Sequence, residues 1–265
     1  MPRLPQPLII RLMKLLRFLT AVAALQLTPW ASADEVRVLA AGAAKHAVET
    51  LAPAFTQATG HTLRASYDTV GALASQVLLA PPGLADVLVL SDAALASLAR
   101  AGRLAATPAH RLGQVVVGVA VGQGAALPDL STADALRQAL LAAPSVAYGD
   151  PARGATAGTH FAKVVDALAL GDAIKGKVSV LPFGVDVITG VAQGRFALGI
   201  SQSSEIMQHP SVRYAGPLPA PHGLATGYSA ALASESPAAQ QFLVFLGGEQ
   251  ARREFAANGF APLPP

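Results

Sequence analysis

Four short turns contain the residues of this sequence whose types and spacing could do chemistry. They span residues 40–45, 67–72, 149–158 and 201–204, and they combine small residues and glycine with a few polar side chains. Each turn follows a predicted strand and leads into a predicted helix. Ligands of open α/β sheets bind outside the carboxyl ends of the strands, and the free amide groups at a helix start favour an anion. One such turn alone would be an ordinary connection, but the four together predict a cleft that binds a small anion.

Other kinds of site are not indicated by the sequence. The chain has no cysteine, which excludes thiolate metal centres, and its six histidines lack the spacing of metal ligands. It contains no phosphate-binding loop, dinucleotide-binding glycine motif, HExxH pattern or nucleophile elbow. Basic and aromatic residues do not form a stripe on which bases could stack. The sequence therefore predicts no metal, no cofactor and no nucleic-acid partner.

The positive charge of the 265-residue chain is concentrated at its N-terminus. Lys and Arg number 19 and Asp and Glu 16, which gives a formal net charge of +3. Residues 1–33 contain four basic residues, then an apolar run, and end in Ala31-Ser32-Ala33, a pattern typical of a secretory signal peptide. The apolar run is too short for a transmembrane helix, and a buried first helix is the alternative.

Cleavage after Ala33 would change the charge balance of the protein. Removing the four basic residues from the 19 leaves 15 against 16 acidic residues, so the mature chain is nearly neutral. Its predicted location is the periplasm, where the lack of cysteine avoids oxidative mispairing. The attraction for an anion must then be local to the cleft.

The elements that position the four turns alternate between strands and helices. This alternation predicts a parallel sheet flanked by helices. The predicted strands are 36–39, 61–67, 85–90, 115–121, 145–148, 177–181, 196–200 and 228–233. The predicted helices are 46–59, 72–79, 93–101, 132–142, 159–168, 186–192, 237–246 and 249–257.

The order of these elements predicts an α/β fold of two doubly wound lobes joined by a hinge. The chain crosses between the two series near residues 118 and 214. We therefore expect lobe 1 to contain residues 34–117 and 215–265, and lobe 2 to contain residues 118–214.

The sequence resembles the periplasmic molybdate-binding protein family. The matching segments lie in the same order over most of the chain: 38–42, 54–60, 71–77, 85–87, 149–151 and 197–200. The resemblance implies the type II periplasmic solute-binding protein fold. It implies the family's oxyanion site less well, because Ala43 and Val70 stand where the family has serines, and Gln202 where it has a tyrosine. A metallate would lose at least two hydrogen-bond donors, each contributing about 0.5–1.5 kcal/mol, so molybdate is disfavoured.

The replacements favour a larger, flatter anion. The Tyr67-Asp68-Thr69 turn resembles the branch of the family that includes the periplasmic aconitate isomerases. Arg153 could hold a carboxylate through two parallel hydrogen bonds, although a solvated loop arginine is the alternative; for Lys45 the alternative is an exposed helix residue. The predicted ligand-binding residues are Ala43, Ala44, Lys45, Tyr67, Thr69, Val70, Gly71, Arg153, Thr156, Ala157, Val187 and Gln202.

Resemblance to this branch implies an isomerase that interconverts trans- and cis-aconitate by an allylic proton shift. Such a reaction needs one group that removes and returns a carbon-bound proton. The candidates are His160 and His46, whose ordinary pKa lies near 6.5, and Asp68 if burial raises its pKa. For His160, a place on the helix surface is the alternative.

A non-catalytic role is the second hypothesis for the same cleft. A transport protein would close around a small organic acid or oxyanion and deliver it to a membrane permease without chemistry. Both hypotheses predict a monomer that binds a small anionic ligand, with a carboxylate expected before molybdate. A fold match does not distinguish them.

Overall fold

The computed structural model describes residues 33–262 of the chain. Residues 1–32 of the predicted signal peptide lie outside the described residues. Strands and helices alternate from the start of the described part, as the sequence predicts. The strands are β1 (Glu35–Ala41), β2 (Thr62–Asp68), β3 (Val87–Ser91), β4 (His110–Gly122), β5 (Val146–Gly149), β6 (Val178–Leu181), β7 (Leu198–Gln202), β8 (Val212–Pro217) and β9 (Ala225–Leu232).

Helices cover the strands and make most of the connections. They are α1 (Lys45–Thr59), α2 (Val70–Leu79), α3 (Asp92–Arg100), α4 (Ala133–Ala142), α5 (Thr156–Ala167), α6 (Gly171–Ile174), α7 (Gly184–Ala192), α8 (Ser203–Met207), α9 (Pro237–Leu246) and α10 (Glu249–Ala257). In the described part of the chain, no helix is both long enough and apolar enough to cross a membrane.

The strands form one continuous path in the order β2-β1-β3-β9-β4-β7-β5-β6, with β8 paired to β4. β1 runs parallel to β2 and β3, and β5 runs parallel to β6 and β7. The long strand β4 joins the two parallel groups because it pairs antiparallel with β9 through its first part and with β7 and β8 through its second part. The α/β class predicted from the sequence is therefore confirmed.

The two large hydrophobic cores lie one on each side of this junction, and a third, smaller cluster contains Ala120 of β4. Val115 of β4 packs in the first core, together with residues of β1, β3, β9 and helices α1, α9 and α10. Val117, two residues further along the same strand, packs in the second core with α4 and α5. The predicted lobe boundaries at residues 117–118 and 214–215 stay a prediction.

Helix α5 begins at Thr156, three residues before its predicted start at Thr159. Its third residue is Gly158, whose low helix propensity favours a later start. Tertiary packing overrides that propensity, because a Cβ atom at Gly158 would overlap the carbonyl oxygen of Gly149 in β5. The glycine lets the first turn of the helix rest directly on the end of the strand.

We expect Gly158→Ala to destabilise the protein by about 1–3 kcal/mol, because the added methyl group forces α5 away from β5. The melting temperature, followed by circular dichroism, should fall by roughly 2–4 °C for each kcal/mol. Gly171→Ala is the matched control, since a Cβ atom there has no neighbour within 4 Å. Equal melting temperatures for the two variants would contradict the close contact.

Candidate functional site

A cleft lies at the carboxyl ends of β1, β2, β5 and β7, where the sequence predicted a site. It encloses about 790 Å³, including its open mouth. Its lining comes from both parallel groups of strands and from β9. The lining residues are Ala41, Gly42, Ala43, Lys45, Tyr67, Asp68, Thr69, Val70, Gly149, Ala155, Thr156, Ala157, Gly158, Phe183, Gly184, Val185, Ser201, Gln202, Glu205 and Tyr228.

Three helix starts face this cleft without a side-chain cap. They are the 3₁₀ turn Gly42–Ala44 that runs into α1, the start of α5 at Thr156, and the start of α7 at Gly184. Free amide groups at a helix start carry partial positive charge and need a hydrogen-bond acceptor. The start of α2 differs, because the Thr69 side chain accepts a hydrogen bond from the Ala72 amide at 3.2 Å.

The amide side chain of Gln202 lies in the cleft wall with only 3% of the residue exposed. Neither its oxygen nor its nitrogen makes a hydrogen bond of ordinary geometry to another described residue, although the Tyr228 phenol is close enough for the two groups to interact. A buried polar group without a partner is costly, so both atoms are suited to bind a ligand. Gln202 therefore has the environment expected of the ligand-binding residue that the sequence predicted.

Two tyrosines contribute neutral phenol groups to the cleft. Burial raises the pKa of Tyr67, and the negative charge of Glu49 adds to the effect. Burial, and after it the negative charge of Glu205, raise the pKa of Tyr228 against the smaller opposing effect of hydrogen bonds with the Thr156 and Gln202 side chains. Both phenols therefore keep their protons and can donate hydrogen bonds to an anion. The ammonium group of Lys45 lies 5.5 Å from the centre of the Tyr67 ring.

Asp68 and Arg153 form an ion pair that connects the two sides of the cleft. Nη2 of Arg153 lies 3.1 Å from Oδ1 and 3.3 Å from Oδ2 of Asp68, and the guanidinium group lies over the Phe183 ring. The Thr69 hydroxyl donates to the carbonyl oxygen of Arg153. The Gly71 amide donates to Gly154 at 3.2 Å.

Arg153 is therefore paired with a carboxylate of the protein and does not line the cleft. The amide of Gly71 likewise has a partner in Gly154.

Glu205 is the main residue that sequence reasoning missed. It is the third residue of α8, and its carboxyl group faces the cleft. The Ser201 hydroxyl donates to its Oε2 atom, and the backbone N–H of Gln202 donates to the same atom at 3.4 Å. Burial raises the pKa of Glu205 against the opposing effect of these hydrogen bonds, and the charge of Asp186 raises it further. The signal in the sequence was a lone acidic residue, the only one between Asp186 and Glu235, just after a predicted strand.

The structure brings most of the predicted site residues together. The cleft lining includes Ala43, Lys45, Tyr67, Asp68, Thr69, Val70, Thr156, Ala157 and Gln202. It does not include Ala44, Gly71, Arg153, Val187, His46 or His160.

Three of the residues outside the lining have other environments. Val187 packs in a small hydrophobic cluster beside the cleft. His46 lies exposed on α1, and Nε2 of His160 lies 2.7 Å from the carbonyl oxygen of His222. Within residues 33–262, no group of three or more metal-ligating side chains occurs.

Sequence and fold comparisons agree on the class of protein to which these features belong. The chain matches the family of bacterial extracellular solute-binding proteins over residues 36–261, and it belongs to that family. Among curated proteins, it is similar to an aconitate isomerase from a Pseudomonas species, with 32% identity over 249 residues, which cover 89% of this chain and 92% of that protein.

Solved structures show the same fold. The periplasmic molybdate-binding protein of Azotobacter vinelandii aligns with a TM-score of 0.70 and 20% identity, covering 87% of this chain and 100% of that one. The sulfate-binding protein SubI of Mycobacterium tuberculosis H37Rv aligns with a TM-score of 0.64 and 21% identity, covering 88% of each chain. The fold is that of the type II periplasmic solute-binding proteins, which confirms the fold predicted from the sequence.

The raised pKa of Glu205 has a consequence for stability. The ordinary pKa of a glutamate is 4.5, and above that pH the unfolded chain has lost the Glu205 proton while the folded protein still keeps it. The stability of the folded protein therefore falls as the pH rises from 4.5 through the raised pKa. Glu205→Gln removes the charge and keeps an oxygen acceptor for Ser201. We expect the variant to melt above the wild type at pH 7, with the difference vanishing near pH 4.

The measurement is thermal unfolding of both proteins between pH 4 and pH 8. Glu235→Gln is the control, because Glu235 is exposed and lies outside the cleft lining. A pH-independent difference between the Glu205 variant and the wild type would contradict the effect of burial on this carboxyl.

Proposed function

We propose that the protein is a periplasmic isomerase of a small unsaturated tricarboxylate, and that it interconverts trans- and cis-aconitate by an allylic proton shift. The convergence of three uncapped helix starts on one cleft carries this proposal. Each start favours a negative group, and a tricarboxylate has three of them. The relative with 32% identity, which is named an aconitate isomerase, supports the same substrate class.

The polar side chains of the cleft fit a carboxylate ligand better than a metallate. Ala43, Val70 and Gln202 lie in the lining at the positions where the molybdate-binding pattern has hydroxyl groups. Of the aliphatic hydroxyls in the lining, those of Thr69 and Ser201 already donate to Arg153 and Glu205, which leaves that of Thr156. Donors from Tyr67, Tyr228 and Gln202 reach further from the backbone and suit a longer anion.

The second candidate is a binding protein that delivers an organic acid or another oxyanion to a membrane permease. The Asp68–Arg153 ion pair favours it, because a contact between the two sides of the cleft suits a protein that closes around its ligand. The Glu205 carboxyl group in the cleft favours the isomerase. A carboxylate repels an anionic ligand and would weaken simple binding, whereas an enzyme can use it to move a proton.

Incubation of the purified protein with trans-aconitate distinguishes the two candidates. Proton NMR should show cis-aconitate appearing, and the same final mixture should be reached from either isomer. Tight binding in calorimetry with recovery of unchanged ligand between pH 6 and pH 9 would favour the binding protein. Molybdate and citrate are the comparison ligands, and a larger thermal shift with molybdate would contradict the carboxylate site.

Lys45 supplies an ammonium group to the cleft lining. Its ion pair with Glu49 is long, with 3.9 Å between Nζ and Oε1, so the ammonium group is available to a ligand. We expect Lys45→Met to raise KM for trans-aconitate roughly 10-fold, a change of about 1.4 kcal/mol, with a smaller effect on kcat. The effect should weaken as salt is added, because the side chain is 44% exposed. Lys163→Met, on the exposed face of α5, is the control and should leave KM unchanged.

A further inference from the structure

We propose that Glu205 is the catalytic residue that carries the proton between two carbon atoms of the substrate. The inference rests on the proposed isomerase function. It concerns a residue that the sequence resemblance does not point to, and the arrangement of the atoms around the carboxyl group supports it.

The carboxyl group is held with one oxygen bound and the other available. Both hydrogen bonds to the carboxyl group fall on Oε2, one from the Ser201 hydroxyl and one from the backbone N–H of Gln202. Among the described residues, none donates a hydrogen bond to Oε1. A proton carrier needs a fixed orientation and a free lone pair, and this arrangement provides both.

Two glycines, one on each side of the cleft, leave room for the group. A Cβ atom at Gly184 would overlap Oε2 of Glu205 and crowd the Ser201 hydroxyl. A Cβ atom at Gly42 would lie 3.0 Å from Oε1. Both glycines belong to uncapped helix starts, so the carboxyl lies beside the amide groups that we expect to hold the carboxylates of the substrate.

Burial makes this carboxylate a stronger base than an exposed glutamate. It raises the pKa of Glu205, so the group accepts a proton more readily and holds it at higher pH. The nearby phenols of Tyr67 and Tyr228 have pKa values raised by burial, so they act as hydrogen-bond donors and not as bases.

The three proton carriers predicted from the sequence are less well placed. Asp68 is paired with Arg153 and also accepts a hydrogen bond from the Thr69 amide at 2.7 Å. His46 is exposed on α1. Nε2 of His160 lies against the His222 carbonyl, outside the cleft lining.

The step conserves atoms and electrons without a co-reactant. The Glu205 carboxylate takes a proton from the CH₂ carbon of the substrate, and the electron pair of that C–H bond delocalises over the three-carbon allyl unit and its carboxylates. The carboxylic acid then returns the proton to the former vinyl carbon. One C–H bond breaks, another forms, and the double bond moves by one position.

The test compares Glu205→Gln with the wild type. Glutamine keeps an acceptor for Ser201 and the Gln202 amide, but it cannot carry the proton. We expect kcat for trans-aconitate to fall roughly 10²–10⁴-fold, while calorimetric affinity for the ligand changes less than 10-fold. In D₂O the wild type should exchange substrate protons for deuterium, and the variant should lose this exchange in proportion to kcat.

Matched variants separate a chemical role from a structural one. His160→Gln and His46→Gln, both outside the cleft lining, should each keep kcat within about 10-fold of the wild type. A structural defect of the Glu205 variant is excluded if it binds trans-aconitate and melts at or above the melting temperature of the wild type. Full turnover by the Glu205 variant overturns the inference and leaves the isomerase function standing. Absence of turnover in the wild type overturns both.

Discussion

Backbone amide groups without a side-chain cap are the basis of this site. A helix start has free N–H groups, and buried N–H groups are almost always paired. Here three such starts, at Gly42, Thr156 and Gly184, open into the same cleft. Three antiparallel pairings, β3 with β9, β9 with β4 and β4 with β7, separate the two parallel groups of strands, so these groups run in opposite directions. Residues at the carboxyl ends of both groups line the one cleft. These amide groups can therefore attract an anion locally, without a contribution from the net charge of the chain.

At Glu205, the stability of the fold and the proposed proton transfer favour different environments for the carboxyl group. Burial disfavours the charge of Glu205, and a bound anion disfavours it further. The structure accepts this cost and holds the group with the Ser201 hydroxyl, the Gln202 amide and space provided by Gly184. Natural sites often retain such destabilising groups where the chemistry needs them. Stability and proton transfer are therefore expected to change in opposite directions at this residue.

The Asp68–Arg153 ion pair has a structural role in the folded protein. Arg153 was predicted to hold a carboxylate of the ligand, and its guanidinium group has the geometry for that bond. In the folded protein it binds the carboxylate of Asp68 instead and stacks over Phe183. Together with the bonds from Thr69 and Gly71 to residues 153 and 154, it connects the two sides of the cleft.

The sequence by itself determined the fold class and the place of the site. The alternation of strands and helices is a local pattern of apolar residues, so the α/β class and most elements could be predicted from it. The place of the cleft followed from the small-residue turns after the predicted strands, and Lys45, Tyr67 and Gln202 of those turns do line it.

Only the tertiary structure decided which side chains line the cleft and which of them are paired with one another. The pairing of Asp68 with Arg153 joins residues 85 positions apart, and local pattern carries no information about such a contact. The same holds for Glu205, whose environment depends on Gly42 and Gly184 from distant parts of the chain. The early start of α5 needed the contact of Gly158 with Gly149, because packing against a strand outweighs the propensity of one residue. Burial and charge pairing set the chemistry of a side chain, and both arise only when the chain is folded.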